Sequence, residues 1–146
     1  MPRILALDVG DARIGVAMSD PLGFSANPLE TISREGGKAF ELLAEIVKKH
    51  GVGTIVVGKP LLLDGTSGEQ AAKVEAFSRG LESYLNEKTG SGVSIVHWDE
   101  RLTTVEAERY VQGRGFKNKD RRAKLDQVSA AIILDAYLQS LSASPI

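Results

Sequence analysis

The segment that most constrains the fold of this chain is Arg3–Asp8, close to the N-terminus. In an extended strand, its apolar residues lie on both sides: Ile4 and Ala6 on one, Leu5 and Leu7 on the other. A strand that is apolar on both faces is buried on both faces, so other elements must pack above and below it. The segment therefore predicts the interior of a sheet in a layered α/β protein.

The rest of the chain alternates between short strands and longer helices. Two more strands are predicted at once, at Ile14–Ser19 and around Leu29–Ser33, with the first two antiparallel. Later segments predict, in order, a helix at Lys38–Lys49, a strand at Thr54–Gly58, a helix at Ser67–Asn86, a strand at Val93–Trp98, a short helix from Thr103 and a helix at Asp126–Leu141. A three-strand meander followed by αβαβα predicts a mixed five-stranded sheet flanked by helices, and this order resembles the ribonuclease H-like fold.

Length and composition predict a single globular domain. A chain of 146 residues is long enough for one real core and short for two; we expect one domain over residues 1–141 and a flexible tail over 142–146. Cysteine is absent, which excludes disulfides, thiolate nucleophiles and zinc–thiolate sites. No apolar run is long enough for a membrane span and no signal segment is recognisable, so we expect a cytoplasmic protein without a membrane partner.

The charge is unevenly distributed along the chain. Residues 113–124, called the basic strip from here on, hold six cations and one anion, a net charge of +5, whereas the whole chain has −1 and the remainder therefore −6. The cations of the strip are Arg114, Lys117, Lys119, Arg121, Arg122 and Lys124. A positive strip on an acidic body favours a polyanionic partner such as nucleic acid. The alternative is an ordinary solvated surface loop; however, the strip leads directly to an acid, Asp126.

Three acids at the edges of apolar segments are candidates for a catalytic centre: Asp8, Glu100 and Asp126. Each has a structural alternative, because Asp8 could bond its own turn, Glu100 could pair with Arg101 or start a helix, and Asp126 could favour a helix N-terminus. In the extended register Glu100 shares a face with Trp98 and the adjacent Asp99 shares one with His97, so only one of these two acids should point into a given cleft. Strand ends and a helix packed on the same sheet can bring such acids together, and hard divalent ions prefer oxygen ligands.

Four segments carry a resemblance to a known family. They are DVGDARIGVAMSDPLG, IVVGKPLLLDGTSGEQA, DERLTT and DQVSAAIILDAYL, in this order over nearly the full chain. Together they resemble the YqgF/RuvX family of nucleases, related to RuvC-type Holliday junction resolvases and also implicated in pre-16S rRNA maturation. The resemblance implies a ribonuclease H-like fold with an acidic metal-binding centre made by Asp8, Glu100 and Asp126.

The resulting hypothesis is a nuclease that hydrolyses phosphodiesters in structured nucleic acid with two Mg²⁺ or Mn²⁺ ions. Arg13 and Arg101, next to the acids, could bind phosphate or neutralise the carboxylates, and Lys59 follows a strand where substrate contacts are common. A four-way DNA junction would favour a homodimer and precursor rRNA a monomer; the sequence leaves both open. Two rivals remain: a non-catalytic nucleic-acid-binding module, and a nucleotide binder using the D-x-G turn as actin-like ATPases do.

Overall fold

A computed structural model of the chain describes residues 2–60, 64, 68–90, 92–99 and 118–142, with side chains in the last segment described for 122–141. Five strands are present in these ranges: β1 Arg3–Val9, β2 Arg13–Ser19, β3 Ala26–Ser33, β4 Val52–Lys59 and β5 Ser94–Asp99. The helices are α1 Ala39–His50, α2 Glu69–Thr89 and α3 Asn118–Ser142, with a short 3₁₀ turn at Glu35–Gly37. The predicted short helix from Thr103 and the predicted tail beyond Ser142 lie outside the described residues.

The five strands form one mixed sheet in the order β3-β2-β1-β4-β5. β1 is antiparallel to β2 and parallel to β4, β2 is antiparallel to β3, and β4 is parallel to β5. The meander and the central position of the first strand are therefore confirmed. β1 and β4 are parallel and β2 runs antiparallel to them. The C-terminal ends of β1 and β4 and the start of β2 therefore lie at the same end of the sheet.

The two faces of the sheet are covered by different helices. Leu5 and Leu7 of β1 are fully buried against α1 and α2, in the larger core cluster. Ile4 and Ala6 point the other way and pack against α3, including its buried Ile133. Burying one large aliphatic side chain stabilises the fold by about 1.5–3 kcal/mol, so the apolar residues on both faces of β1 favour a helical cover on each face. We call these the α1/α2 face and the α3 face.

The last helix begins earlier than the sequence predicts. The predicted start was Asp126, but α3 already includes Asn118, so Asp126 lies in its third turn. The apolar pattern begins only at Leu125, and the residues between Asn118 and Lys124 are mostly charged, so periodicity gives no sign of a helix there. The interpretation of Asp126 as a helix-start acid, favoured by capping or by the dipole, is therefore wrong.

Among the helices in the described ranges, none combines the length and apolar character that crossing a bilayer requires.

Candidate active site

A row of three residues crosses the α3 face at the edge where β1 ends. Asp8 of β1 pairs with Gly15 of β2, which in turn pairs with Thr31 of β3. All three follow the alternation that sends Ala6 and Ala17 to α3. Asp8 is half-buried, and Gly15 leaves a gap in the row where a side chain would otherwise stand.

Helix α3 packs against this face of the sheet at the position of Gly15. A Cβ atom built on Gly15 would lie 1.9 Å from the carbonyl oxygen of Asp126 and 2.9 Å from its Cβ. The main chain of Asp126 thus rests on the strand residue directly beside Asp8. Since paired residues in adjacent strands have Cβ positions about 4.5–5.5 Å apart, the Cβ atoms of Asp8 and Asp126 lie within about 8 Å of each other. Two carboxylates so placed can reach a common ion.

Asp126 is held from the side by an arginine. The Nε of Arg13, the first residue of β2, donates to Asp126 Oδ2 at 2.7 Å. The side chains are 39% and 21% exposed, so the pair is only partly desolvated and its net contribution to stability is small. Its structural effect is to fix the orientation of the Asp126 carboxylate while a second oxygen, Oδ1, remains for another cation.

A second bond anchors the same turn of α3. The Thr31 hydroxyl donates to the carbonyl oxygen of Ala123, one turn before Asp126. Helix α3 is therefore attached to β3 through Thr31 and to β2 through Arg13 and the contact at Gly15. These attachments leave the Asp126 backbone little freedom to move relative to Asp8.

The donor set fits a hard divalent cation. Magnesium is commonly bound by one or two carboxylates, with water and substrate phosphate completing its shell. Asp8 and Asp126 supply two such groups. In the part of the chain that the structure describes, no cluster of three acidic or histidine side chains could hold a metal. The third predicted acid, Glu100, lies outside the described residues, as does Arg101.

The end of β5 separates two neighbouring side chains onto opposite faces. Trp98 lies on the α3 face and contacts Tyr137 edge-on, with ring centroids 5.9 Å apart. His97 lies on the α1/α2 face, where its Nε2 is 3.0 Å from the buried Ser78 hydroxyl.

Asp99 follows the direction of His97 by alternation, away from the row that holds Asp8. The preference for Glu100 over Asp99 stays a prediction.

Lys59 is not brought to the acids. It ends β4 on the α1/α2 face, where its Nζ is 2.5 Å from Glu75 Oε1 of α2. Its hydrogen bond and charge lower the pKa of Glu75. The pKa of His97 is also lowered, first by burial and then by the Lys59 charge, with Glu75 opposing. Lys59 thus belongs to a cluster on the other side of the sheet from Asp126.

The basic strip is partly helical. Lys119, Arg121, Arg122 and Lys124 lie in the first two turns of α3, and side chains are described for the last two: Arg122 is exposed and Lys124 half-buried. Arg114 and Lys117 lie outside the described residues. The helical cations precede Asp126 on the same helix, and their predicted role in nucleic-acid binding stays a prediction.

Sequence reasoning missed three residues of this site: Gly15, Thr31 and Arg34, whose guanidinium donates to the Gly10 carbonyl in the turn between Asp8 and Arg13. An isolated glycine inside an apolar strand is a signal of close backbone approach, and Gly15 has that signature. Thr31 and Arg34 have no comparable signal, because their partners are distant in the sequence.

Comparison with known proteins identifies the family. A family model described as "RuvX: Holliday junction resolvase" matches residues 2–140. The chain belongs to the RuvX family. The resemblance read from the sequence motifs is thereby confirmed, and the RuvX description makes the chain a member of a nuclease family.

Similar curated proteins cover nearly the whole chain. A protein of Syntrophus aciditrophicus is 41% identical over 145 residues, which is 99% of this RuvX chain and 93% of the relative. A protein of Clostridium botulinum is 43% identical over 142 residues, 96% of this chain and 98% of the relative. Both bear the name "Putative pre-16S rRNA nuclease".

Solved structures support the fold of this RuvX chain. RuvC of Thermus thermophilus, in complex with a Holliday junction substrate, superposes with a TM-score of 0.60 at 15% identity, over 98% of this chain and 97% of RuvC. The yeast mitochondrial Holliday junction resolvase Ydc2 superposes with a TM-score of 0.54 at 12% identity, over 97% and 79%. The predicted ribonuclease H-like fold is confirmed.

Proposed function

We propose that this RuvX-family chain is an endonuclease that hydrolyses phosphodiesters in structured nucleic acid with two divalent ions, Mg²⁺ or Mn²⁺, held by Asp8, Asp126 and Glu100. The observation that carries the proposal is the passage of the Asp126 backbone over Gly15, which brings the Cβ of Asp126 within about 8 Å of the Cβ of Asp8. Two carboxylates at this separation can contribute oxygen ligands to the same divalent ion. Arg13 contacts one oxygen of the Asp126 carboxylate and leaves the other for a metal.

The bound ions would activate a water and stabilise the departing oxygen of the phosphodiester. The protein groups would then have separate tasks. Asp8, on the central strand, supplies a rigid carboxylate, because strand β1 is hydrogen-bonded on both sides. Arg13 keeps the Asp126 carboxylate oriented. Because its side chain is partly exposed, its guanidinium can also contact a substrate phosphate.

We propose that the basic strip guides the substrate to these acids. Its helical cations precede Asp126 on α3, so a nucleic-acid backbone that lies along them arrives at the carboxylate pair. Contacts from lysine and arginine to phosphate position a substrate without reading its bases. The names of the relatives suggest two substrates, a Holliday junction and pre-16S rRNA, and a two-fold junction would be cut in pairs by a homodimer.

The proposal is tested with a labelled four-way junction and a labelled pre-16S rRNA fragment, each incubated with the protein in Mg²⁺, Mn²⁺ or chelator. We expect metal-dependent cleavage of at least one substrate. Asp8→Asn, Asp126→Asn and Glu100→Gln should each reduce the cleavage rate by about 100-fold or more while binding is retained. Asp135→Asn is the matched control, because Asp135 is an exposed acid of the same helix whose carboxylate bonds Gln139.

Three results would contradict this function. Survival of both substrates in either metal, with binding intact, would favour a non-catalytic binding module. Cleavage by Asp8→Asn at the wild-type rate would contradict the proposed role of Asp8 in the metal site. ATP turnover without nucleic-acid cleavage would favour the nucleotide-binding alternative.

A further inference from the structure

The turn between β1 and β2 connects two residues of the candidate site. Asp8 lies just before it and Arg13 just after it, and only four residues separate them. The Gly10 amide donates to the Arg13 carbonyl at 2.8 Å, which closes the turn. A Cβ on Gly10 would lie 3.0 Å from that same oxygen. The conformation of this turn therefore sets the position of Arg13 relative to Asp8.

One residue from another strand binds two carbonyl groups of this turn. Arg34, the first residue after β3, donates its backbone N–H to the Ala12 carbonyl at 2.9 Å. Its side-chain Nη1 donates to the Gly10 carbonyl at 2.7 Å. A short charge-assisted bond of this kind is about twice as strong as a neutral one. Arg34 thus ties both ends of the turn to the end of β3.

The guanidinium of Arg34 is itself held in place by the core. Its Cζ lies 5.1 Å from the centroid of the Phe77 ring of α2. Phe77 is 7% exposed and packs against Phe40 of α1, with ring centroids 5.3 Å apart. A cation above an aromatic face gains about 0.5–2 kcal/mol, and the planar group gains orientation as well. The exposed pair Lys73–Asp11, at 3.6 Å, adds little to this arrangement.

Arg34 reaches the turn from the side away from the metal-binding acids. Phe77 and the rest of α2 cover the α1/α2 face, whereas Asp126 lies on the α3 face. A guanidinium that lies over the Phe77 ring and donates to the Gly10 carbonyl therefore supports the turn from the α1/α2 face. It holds the turn through the backbone, from the face opposite Asp126.

We propose that Arg34 is a positioning residue for the nuclease reaction. It clamps the β1–β2 turn against α2 and thereby fixes the positions of Asp8 and Arg13 relative to Asp126. This inference rests on the proposed function for its kinetic consequence, but the clamp itself has a structural consequence that can be measured separately. Misplacement of reacting groups by about 1 Å can cost about 100-fold in rate.

The decisive variant is Arg34→Lys, which keeps the charge but has no guanidinium to lie over Phe77 and donate to Gly10 at the same time. We expect kcat on the cleaved substrate to fall by about 10–100-fold, with an unchanged dissociation constant and an unchanged salt dependence of binding. Amide hydrogen exchange at Gly10 and in the residues that follow should become faster, while exchange in α1 stays as in the wild type. Arg79→Ala, which removes an exposed cation of α2, is the control and should keep wild-type kcat and exchange.

Different failures have different meanings. If Arg34→Lys weakens binding and flattens its salt dependence at constant kcat, Arg34 contacts substrate phosphate and the positioning role is wrong. If exchange in the turn is unchanged, the clamp is absent whatever the kinetics. An inactive wild-type protein whose turn still exchanges faster in Arg34→Lys would overturn the proposed nuclease function and leave the clamp standing.

Discussion

The backbone of Asp126 lies directly on Gly15, the residue of β2 that pairs with Asp8. This contact determines where helix α3 crosses the sheet. It also explains why a residue without a side chain stands in the middle of an otherwise buried apolar strand. The geometry of the site thus depends on the absence of a Cβ atom at Gly15 as much as on the acids themselves.

Replacing Gly15 with alanine should therefore damage both the fold and the activity. The new methyl group would collide with the main chain of Asp126, which cannot rotate away as a side chain could. We expect a loss of stability of about 1–3 kcal/mol or more, seen as a lower Tm, and loss of metal-dependent cleavage. Gly92→Ala is the matched control, since a Cβ there meets nothing within 4 Å. Wild-type Tm and activity in Gly15→Ala would mean that α3 is not seated on β2.

Replacing Arg13 with alanine should affect catalysis more than stability. The Arg13–Asp126 pair is partly exposed, so its loss should cost at most about 1 kcal/mol. The freed carboxylate should bind metal at least as tightly, because a competing cation is gone, while kcat falls about 10–100-fold through lost orientation. A Mg²⁺ titration of cleavage separates the two effects. Lys73→Ala, which breaks an exposed pair on the neighbouring turn, should change neither value; weaker metal binding in Arg13→Ala would contradict this role.

The basic strip should determine how binding responds to salt. Replacing Arg121, Arg122 and Lys124 together with alanine should lower affinity and reduce the slope of log K against log salt by about 0.9 for each duplex phosphate that is no longer neutralised. The charge-matched control replaces three exposed lysines near the C-terminal ends of α1 and α2, at the opposite edge of the sheet: Lys48, Lys49 and Lys88. Equal slopes in both triple variants would identify the strip as an ordinary solvated surface.

His97 should make stability depend on pH. Burial first, and then the Lys59 charge, lower its pKa below the ordinary value of 6.5. The folded protein then binds fewer protons than the unfolded chain, so this contribution is present above pH 6.5 and is lost as the pH falls from there through the folded pKa. The pKa of Glu75 is lowered from 4.5, so its contribution changes only at more acidic pH.

His97→Gln should therefore lose less Tm than the wild-type protein between about pH 7.5 and pH 5. Thermal unfolding at several values in that interval measures the difference. Parallel curves for the two proteins would show that His97 titrates equally in the folded and unfolded states.

Much of the fold was predictable because it depends on local patterns. The two-sided apolar alternation of Arg3–Asp8 predicted the central strand, and Gly51, with a φ of 67°, ends α1 as expected of a left-handed C-cap. The start of α3 was missed because its first turns carry no apolar face, and periodicity reports burial more directly than helicity.

The linear sequence was enough to predict the order of the elements in the described ranges, the candidate acids and the family of the chain. Three relationships required the folded chain: Asp126 meets Arg13 across 113 positions, Lys59 faces Glu75 instead of the acids, and Arg34 holds the turn between Asp8 and Arg13. The physical reason is that periodicity indicates which side of a strand or helix is buried. Which residues then touch depends on where a helix crosses a sheet, and here the gap at Gly15 sets that crossing.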